Sequence, residues 1–340
     1  MTSEMPDARA GLPARAAGQG APWATSSRPG TFRAALESGA FTVTAEIGPP
    51  RGADAGAIAR KVAPLRDWVA AVNITDNQGA SVRLANWAGS LAALAAGVEP
   101  IMQLTCRDRN RIALQSDLLG ASALGIPNIL VMTGDHPRFG DHASAKPVFD
   151  LDSTQLVWTA RTLRDEARLI SGKELNPAPR FFLGAVENPF APPVEYRAKR
   201  AAKKIAAGAQ FMQTQYVFDL PVFTRWMADL GDLGVLDRCA VLAGVGVIRS
   251  ARMLEFLSSG KVPGVQIPEP IQRRLRGVAS DDVGAEGAKI AAEVIATVRQ
   301  IPGVAGVHLL TAGYEKQTPE LLRLAGVDRC REEKLISNGN

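Results

Sequence analysis

The sequence predicts an α/β protein, a (β/α)8 barrel of the TIM type with extra helices before its last strand. Eight short apolar segments alternate with helical segments, most of them roughly thirty residues apart, as in such barrels. The chain has 340 residues, enough for one large barrel. The first strand is followed by Gly48-Pro49-Pro50, whose prolines remove the backbone donors that a phosphate-binding turn needs. We therefore favour the closed barrel over a doubly wound open sheet.

Charge and composition narrow the class of protein. Lys and Arg number 39 against 34 Asp and Glu, and this mild excess suits an anionic ligand but predicts no binding to nucleic acid. No apolar segment approaches the ~20 residues of a membrane span, so we expect no membrane association. The three cysteines share no metal or redox spacing, and the chain has only three histidines. This pattern predicts a cytoplasmic protein with reduced thiols and no metal site.

We expect three regions along the chain. Residues 1–30 are rich in Ala, Arg, Pro, Ser and Gly and lack apolar periodicity, which is typical of a disordered N-terminal tail. Residues 31–330 are predicted to form the barrel, which we expect to be the catalytic domain. Residues 331–340 are predicted to be a flexible C-terminal tail.

The first half of the chain contains four predicted strands, each an apolar run that can be buried on both faces. These strands are residues 41–47, 69–74, 100–104 and 129–132. Asp54 and Asp108 are expected to cap the helices after the first and third strands. The Ala-rich residues 84–96 form the second helix, and Ser153 is expected to cap the fourth.

The second half of the chain repeats the pattern. Its predicted strands are residues 181–186, 210–217, 240–245 and 306–311. A helix over residues 194–207 follows the first of these strands, and Asp219 and Ser250 are expected to cap the next two helices. Two further helical segments, residues 268–276 and 283–301, precede the last strand.

Polar side chains follow the strands at their carboxyl ends, which meet at one rim in a parallel barrel. The residues expected at this rim are Glu46, Thr75, Gln103, Thr105, Asp135, Asn188, Gln213 and Gln215. They include no Ser-His pair and no metal set, which favours a cofactor that carries its own chemistry. Glu46 follows a buried strand and is a candidate general acid. The alternatives are a structural ion pair for Glu46 and a turn cap for Asp135.

Two further patterns indicate a ligand. Gln213 and Gln215 alternate and so share one face of a strand, where barrel side chains alone would hardly satisfy them. A heterocycle with amide-like edges would use such a pair. Arg197, Arg200 and Lys204 line one face of the helix over residues 194–207. This stripe is either an ordinary solvated face or a site for a diphosphate.

Several segments, in the same order along the chain, resemble the methylenetetrahydrofolate reductases of the bacterial single-domain type. They are residues 44–50 (TAEIGPP), 103–106 (QLTC), 133–137 (TGDHP), 213–219 (QTQYVFD) and 306–311 (GVHLLT). The resemblance implies a (β/α)8 barrel that binds FAD at the carboxyl ends of the strands. NADH or NADPH would reduce the flavin and leave, and methylenetetrahydrofolate would then take the hydride to become methyltetrahydrofolate.

The resemblance also implies roles for the matched residues. Glu46 corresponds to the catalytic glutamate, and Asp135 to an aspartate that contacts both flavin and pterin and would stabilise a cationic intermediate. With the strand-end pattern, the expected cofactor contacts are Thr75, Gln103, Thr105, Asp135, Asn188, Arg200, Lys203 and Lys204. The expected substrate contacts are Glu46, Asp135, Gln213 and Gln215.

Two other functions are compatible with the sequence. A pterin-binding methyltransferase barrel would pass a methyl group between folate and a corrinoid protein without redox chemistry. A non-catalytic folate-binding subunit would need no acid at Glu46. The expected partners are accordingly folate and either further copies of the chain or a methyl-transfer protein.

Overall fold

A closed barrel of eight parallel strands is formed by the residues that the computed structural model describes, namely 31–260, 262 and 264–328. Each strand pairs with its neighbours in chain order, and the first strand closes the barrel against the last. The predicted (β/α)8 fold is confirmed. The tails predicted at residues 1–30 and 331–340 lie outside the described residues.

Helices and strands alternate through most of the chain. The strands are β1 (Thr42–Ile47), β2 (Ala71–Ile74), β3 (Pro100–Thr105), β4 (Asn128–Met132), β5 (Phe182–Glu187), β6 (Phe211–Tyr216), β7 (Ala240–Val245) and β8 (Val304–Leu309). The helices are α1 (Thr31–Glu37), α2 (Gly56–Val62), α3 (Asn86–Ala95), α4 (Arg111–Ala123), α5 (Ser153–Asp165), α6 (Arg197–Ala207), α7 (Leu220–Asp232), α8 (Ala251–Ser258), α9 (Glu269–Arg276), α10 (Val283–Val298) and α11 (Thr318–Leu324). The extra helices predicted before the last strand are α9 and α10.

The structure differs from the predicted caps at three helices. Ala55 rather than Asp54 is the N-cap of α2, although the carboxylate of Asp54 accepts a hydrogen bond from the backbone N–H of Ala57. Asn110 caps α4, because the side chain of Asp108 is paired with Arg107 instead. Asp152 caps α5 in a capping box, which makes Ser153 the first residue of the helix rather than its cap. The N-caps predicted for α7 and α8 are confirmed.

Aromatic side chains fill the amino-terminal end of the barrel, and α1 closes it. Phe32 of α1 is fully buried and packs edge-on against Phe182 and Phe211. Gly184 makes room for this cluster, because a Cβ atom there would lie 2.3 Å from the ring of Phe211. The strand pattern did not predict α1. Because α1 closes this end, the polar part of the barrel interior lies at the opposite end, where the strands terminate.

The cysteines are structural in the described part of the chain. Cys106 and Cys239 are buried free thiols, and burial raises the pKa of Cys106 to about 12. Cys330 lies outside the described residues. Within residues 31–328, apart from the two undescribed positions, no group of three or more His, Cys, Asp or Glu side chains could hold a metal ion. In the same residues, no helix is long and apolar enough to cross a membrane.

Candidate active site

A cavity of about 270 Å³ lies at the carboxyl ends of the strands. Six of the eight residues predicted at the rim line it, namely Glu46, Gln103, Thr105, Asp135, Gln213 and Gln215. Its wall also contains polar residues that the sequence analysis did not select, namely Asp76, Gln78, Arg107, Tyr216 and His308. The structure therefore brings most of the predicted site together.

Glu46, near the end of β1, is held by two neutral amides. Its Oε1 accepts a hydrogen bond from Gln78 Nε2 at 3.0 Å, and its Oε2 accepts one from Gln103 Nε2 at 3.3 Å. The side chain is 13% exposed, so the carboxyl group is largely buried but open to the cavity. These contacts do not support the alternative of a structural ion pair with Lys or Arg. Glu46 therefore presents to the cavity a carboxyl group whose two oxygens each accept from a neutral amide.

Asp135 follows a tight turn after β4. Gly134 has a φ of +85°, and a Cβ atom there would lie only 3.0 Å from the side chain of Thr105, so glycine is needed for two reasons. The next helical turn is capped by His136, which argues against a capping role for Asp135. Asp135 is exposed at the cavity wall, and its backbone carbonyl accepts a hydrogen bond from Arg107 Nη1 at 3.4 Å.

A buried charged cluster joins the loops that follow β2, β3 and β4. Asp76 is 5% exposed, accepts hydrogen bonds from the backbone N–H and the hydroxyl of Thr105 at 2.9 and 2.8 Å, and pairs with Arg109. Arg107 is 2% exposed and donates to the carbonyls of Asp76 and Asp135. The Thr105 hydroxyl is therefore already bonded inside the protein. Charged residues directly after a buried strand are the signal that could have identified this cluster.

Gln213 is satisfied by barrel side chains, contrary to the expectation from the sequence. Its Oε1 accepts a hydrogen bond from Asn73 Nδ2 at 2.6 Å, and its Nε2 donates to Asn73 Oδ1 at 3.2 Å and to Thr44 Oγ1 at 3.0 Å. Gln213 is 1% exposed and lies at the inner end of the cavity. Its buried amide is therefore no argument for a ligand. Gln215 lies further out on β6, and its Oε1 accepts a hydrogen bond from the backbone N–H of Tyr216.

The basic stripe on α6 faces a buried carboxylate. Lys204 Nζ lies 3.0 Å from Glu187 Oε2, and Arg200 Nε lies 3.5 Å from Glu187 Oε1. Glu187, at the end of β5, is 4% exposed and needs such compensation. Lys204 is only 15% exposed, so the solvated-face interpretation is wrong for this residue. Lys203, on the same helix, is exposed.

Thr75 and Asn188, also expected at the rim, lie outside the cavity wall. Thr75 is 1% exposed, and its Oγ1 is buried without a hydrogen-bond partner in the described residues. A buried hydroxyl of this kind is one that a ligand or an ordered water satisfies. Asn188 Oδ1 accepts a hydrogen bond from the backbone N–H of Phe190 at 3.0 Å, and its side chain packs on the backbone of Gly264.

The sequence matches a family of known enzymes. The family model for methylenetetrahydrofolate reductase matches residues 31–326. A probable methylenetetrahydrofolate reductase (NADPH) of Caenorhabditis elegans is 24% identical over 71% of this chain and 34% of its own length. Methylenetetrahydrofolate reductase 1 of Schizosaccharomyces pombe is 25% identical over 68% of this chain and 36% of its own length. The chain thus spans about a third of the length of these curated relatives.

Solved structures share the fold at low sequence identity. A Clostridium thermocellum protein that binds two copies of 5-methyl-5,6,7,8-tetrahydrofolic acid has a TM-score of 0.58 at 12% identity, covering 86% of this chain and 97% of its own. An F420-dependent secondary alcohol dehydrogenase has a TM-score of 0.53 at 14% identity, covering 84% and 99%. Such identities show the barrel fold alone. Because the family model covers nearly the whole barrel, this chain belongs to the methylenetetrahydrofolate reductase family.

Proposed function

We propose that this protein reduces 5,10-methylenetetrahydrofolate to 5-methyltetrahydrofolate, with NADH or NADPH as the hydride donor and FAD as the intermediate carrier. Family membership supports the class of reaction. The structural observation that supports it most is the carboxyl group of Glu46, held by Gln78 and Gln103 in the wall of a cavity that also contains Asp135.

Glu46 is proposed to act as the general acid. The methylene bridge of the folate must open to an iminium cation before it can accept a hydride, and an acid assists this step by protonating the departing nitrogen. The amides of Gln78 and Gln103 fix the plane of the carboxyl group. Its small exposed fraction limits competition from bulk water while leaving the group within reach of a ligand in the cavity.

Asp135 is proposed to stabilise the cationic iminium by its negative charge. Asp135→Asn keeps the shape of the side chain and one acceptor oxygen but removes the charge. Because Asp135 is exposed and therefore screened, we expect folate reduction to slow only about tenfold, with weaker folate binding. Reduction of the flavin by NADH or NADPH should stay unchanged or become faster. Stopped-flow measurement of the two half-reactions checks this, and proportional losses in both would show that Asp135 only shapes its turn.

Part of the site fits FAD. When bound, FAD supplies hydride transfer between the nicotinamide and the folate. The Gln103 amide and Asp135, which both line the cavity, would hold the edge of its ring system, whereas the unpartnered Thr75 hydroxyl is buried outside the cavity wall. The expected diphosphate contacts fit less well, since Arg200 and Lys204 are already engaged by Glu187. Lys203 lies on the same helix outside this stripe, is exposed, and is not paired with Glu187.

Lys203→Ala and Lys204→Ala separate the two roles that the basic helix could play. Lys204→Ala removes the nearest cation from a buried carboxylate, and Arg200 compensates only in part. We expect a loss of about 1–3 kcal/mol in the free energy of unfolding, measured with denaturant. Lys203→Ala should leave stability unchanged but weaken FAD retention, and the difference from the wild type should shrink at high salt, which screens the charge of Lys203. If both variants retain FAD as the wild type does, the stripe has only a structural role.

The absorbance spectrum of the purified protein tests the proposed function. We expect a flavin spectrum that NADH or NADPH bleaches under anaerobic conditions and that methylenetetrahydrofolate restores. A colourless protein that still reduces folate would exclude FAD as the carrier but leave the reaction in place. Transfer of a methyl group to a corrinoid protein, without oxidation of NADH or NADPH, would favour the methyltransferase alternative.

A further inference from the structure

The geometry points to His308 as a positioning residue for Glu46, with a neutral imidazole that carries its proton on Nε2. The positioning role rests on the proposed function, because it assumes that Glu46 is the acid. The position of the imidazole proton does not depend on the reaction and can be measured separately.

His308 connects the buried interior of the barrel with the cavity. It lies on β8, pairs with Thr44 of β1 and is 3% exposed. Thr44 is two residues before Glu46 on the same strand. Its Nδ1 lies 3.0 Å from Thr44 Oγ1, and its Nε2 lies 4.0 Å from Glu46 Oε2. Each ring nitrogen therefore faces one specific oxygen, and the Nε2 side faces the proposed acid.

The hydrogen bonds of Thr44 determine which nitrogen carries the proton. Gln213 Nε2 donates to Thr44 Oγ1 at 3.0 Å, and the other polar contact of this hydroxyl among the described residues is His308 Nδ1. Thr44 is fully buried, so its hydroxyl proton needs an acceptor, and His308 Nδ1 is the one within reach among the described residues. We therefore assign Nδ1 as the unprotonated acceptor of this bond. A neutral imidazole then has its proton on Nε2, directed at Glu46.

Asn73 engages both ends of the Gln213 amide. The two side chains form a reciprocal pair, with Asn73 Nδ2 donating to Gln213 Oε1 at 2.6 Å and Gln213 Nε2 donating back at 3.2 Å. Asn73 is fully buried, so this pair is shielded from water. Amides do not pass protons along as imidazoles do. The chain of hydrogen bonds therefore holds His308 in place and is not a proton pathway through the barrel.

A donor on His308 Nε2 serves Glu46 once the acid has given its proton to the folate. The carboxylate left behind can accept the Nε2–H, and an approach of about 1 Å brings the present separation into hydrogen-bond range. Catalytic hydrogen bonds are often long before a ligand binds and shorten in the complex. His308 thus acts through Glu46, because it keeps the carboxyl group aligned and stabilises its charged form.

Nitrogen-15 NMR of histidine-labelled protein tests the position of the proton. The chain contains three histidines, and the two others, His136 and His142, are exposed reference signals. His308 is assigned by the signal that disappears in His308→Gln. We expect His308 to show the neutral Nε2–H form near pH 7. An Nδ1–H form or an imidazolium would overturn the inference.

Two substitutions of His308 test the positioning role. Gln places an amide nitrogen near the position of Nε2 and so keeps a donor for Glu46, whereas Asn places one near Nδ1 and keeps only the contact with Thr44. We expect His308→Asn to lower kcat of folate reduction about tenfold or more, the usual effect of losing a hydrogen bond to a charged group. His308→Gln should retain most of the rate. Equal losses, or the reverse order, would overturn the positioning role.

Thr44→Val keeps the inference testable if the His308 variants do not fold. It removes the hydroxyl that orients the imidazole, so the nitrogen-15 signals of His308 should shift toward a mixture of the two neutral forms. Unchanged signals would contradict the assigned chain of hydrogen bonds. If the wild type does not reduce folate, the proposed function fails while the NMR result still stands. If it does, full activity of a folded His308→Asn variant overturns only the role of His308.

Discussion

Glu46→Gln is expected to slow the folate half-reaction by about 10²-fold or more, the usual contribution of a positioned acid, while flavin reduction by NADH or NADPH stays largely intact. Gln keeps the size of the side chain but cannot give up a proton. Because its Nε2 donates and cannot accept, the amide of either Gln78 or Gln103 must turn its oxygen toward it. Stopped-flow absorbance measures the two half-reactions separately. Their ratio distinguishes loss of an acid from loss of structure.

Glu99→Gln is the matched control for this substitution. Glu99 is also partly buried and hydrogen-bonded, but it contacts Asn128 at the amino-terminal end of the barrel, opposite the cavity. Both half-reactions should be unchanged in this variant. Equal losses in both half-reactions of Glu46→Gln would instead mean that Glu46 positions the cofactor or supports the fold.

Phe32→Ala is expected to lower the free energy of unfolding by about 3–5 kcal/mol, the range for removing a buried aromatic side chain. Phe32 is fully buried against Phe182 and Phe211. Removing its ring would leave a cavity at the amino-terminal end of the barrel, which we call the floor. Denaturant unfolding measures the change. Phe139→Ala is the control, because Phe139 is 66% exposed and its loss should change stability by no more than about 0.5 kcal/mol.

The outcome for Phe32 also tests the architecture of the floor. Wild-type stability in Phe32→Ala would mean that α1 does not dock in the barrel in solution. A large loss in the free energy of unfolding with intact folate reduction at low temperature would show that the floor supports stability but does not affect the cavity at the opposite end. We expect the second result, since α1 lies at the amino-terminal end of the strands, away from Glu46.

The barrel could be predicted because its signals are local. The seventh strand was predicted at residues 240–245, the bounds of β7, since an apolar run between a polar turn and a capped helix is sufficient to define it. The helix α1 could not be predicted in this way. Its seven residues follow a segment without periodicity, and Phe32 is explained only by the space that Gly184 leaves beside Phe211. That space is a property of the assembled barrel.

Most residues of the candidate site could be predicted from the sequence, but the hydrogen bonds between them could not. Glu46 and Gln103 were selected from the strand ends, and the structure joins them by a hydrogen bond. The partners of Gln213 come from two other strands, and only the register of the closed barrel brings them together. His308 could have been predicted from the sequence as a residue of the site. Gly306 and His308 alternate on β8, so both lie on its inward face, and a histidine there faces the barrel interior.

The most direct test of the proposed function is an anaerobic incubation of the protein with methylenetetrahydrofolate and NADH or NADPH. It should quantify methyltetrahydrofolate and the oxidised nucleotide together. We expect the wild type to form the two products one for one, and Glu46→Gln to form them at about 1% of that rate or less. A wild type that binds folate without forming methyltetrahydrofolate, or a Glu46→Gln variant with the wild-type rate, would contradict the proposal.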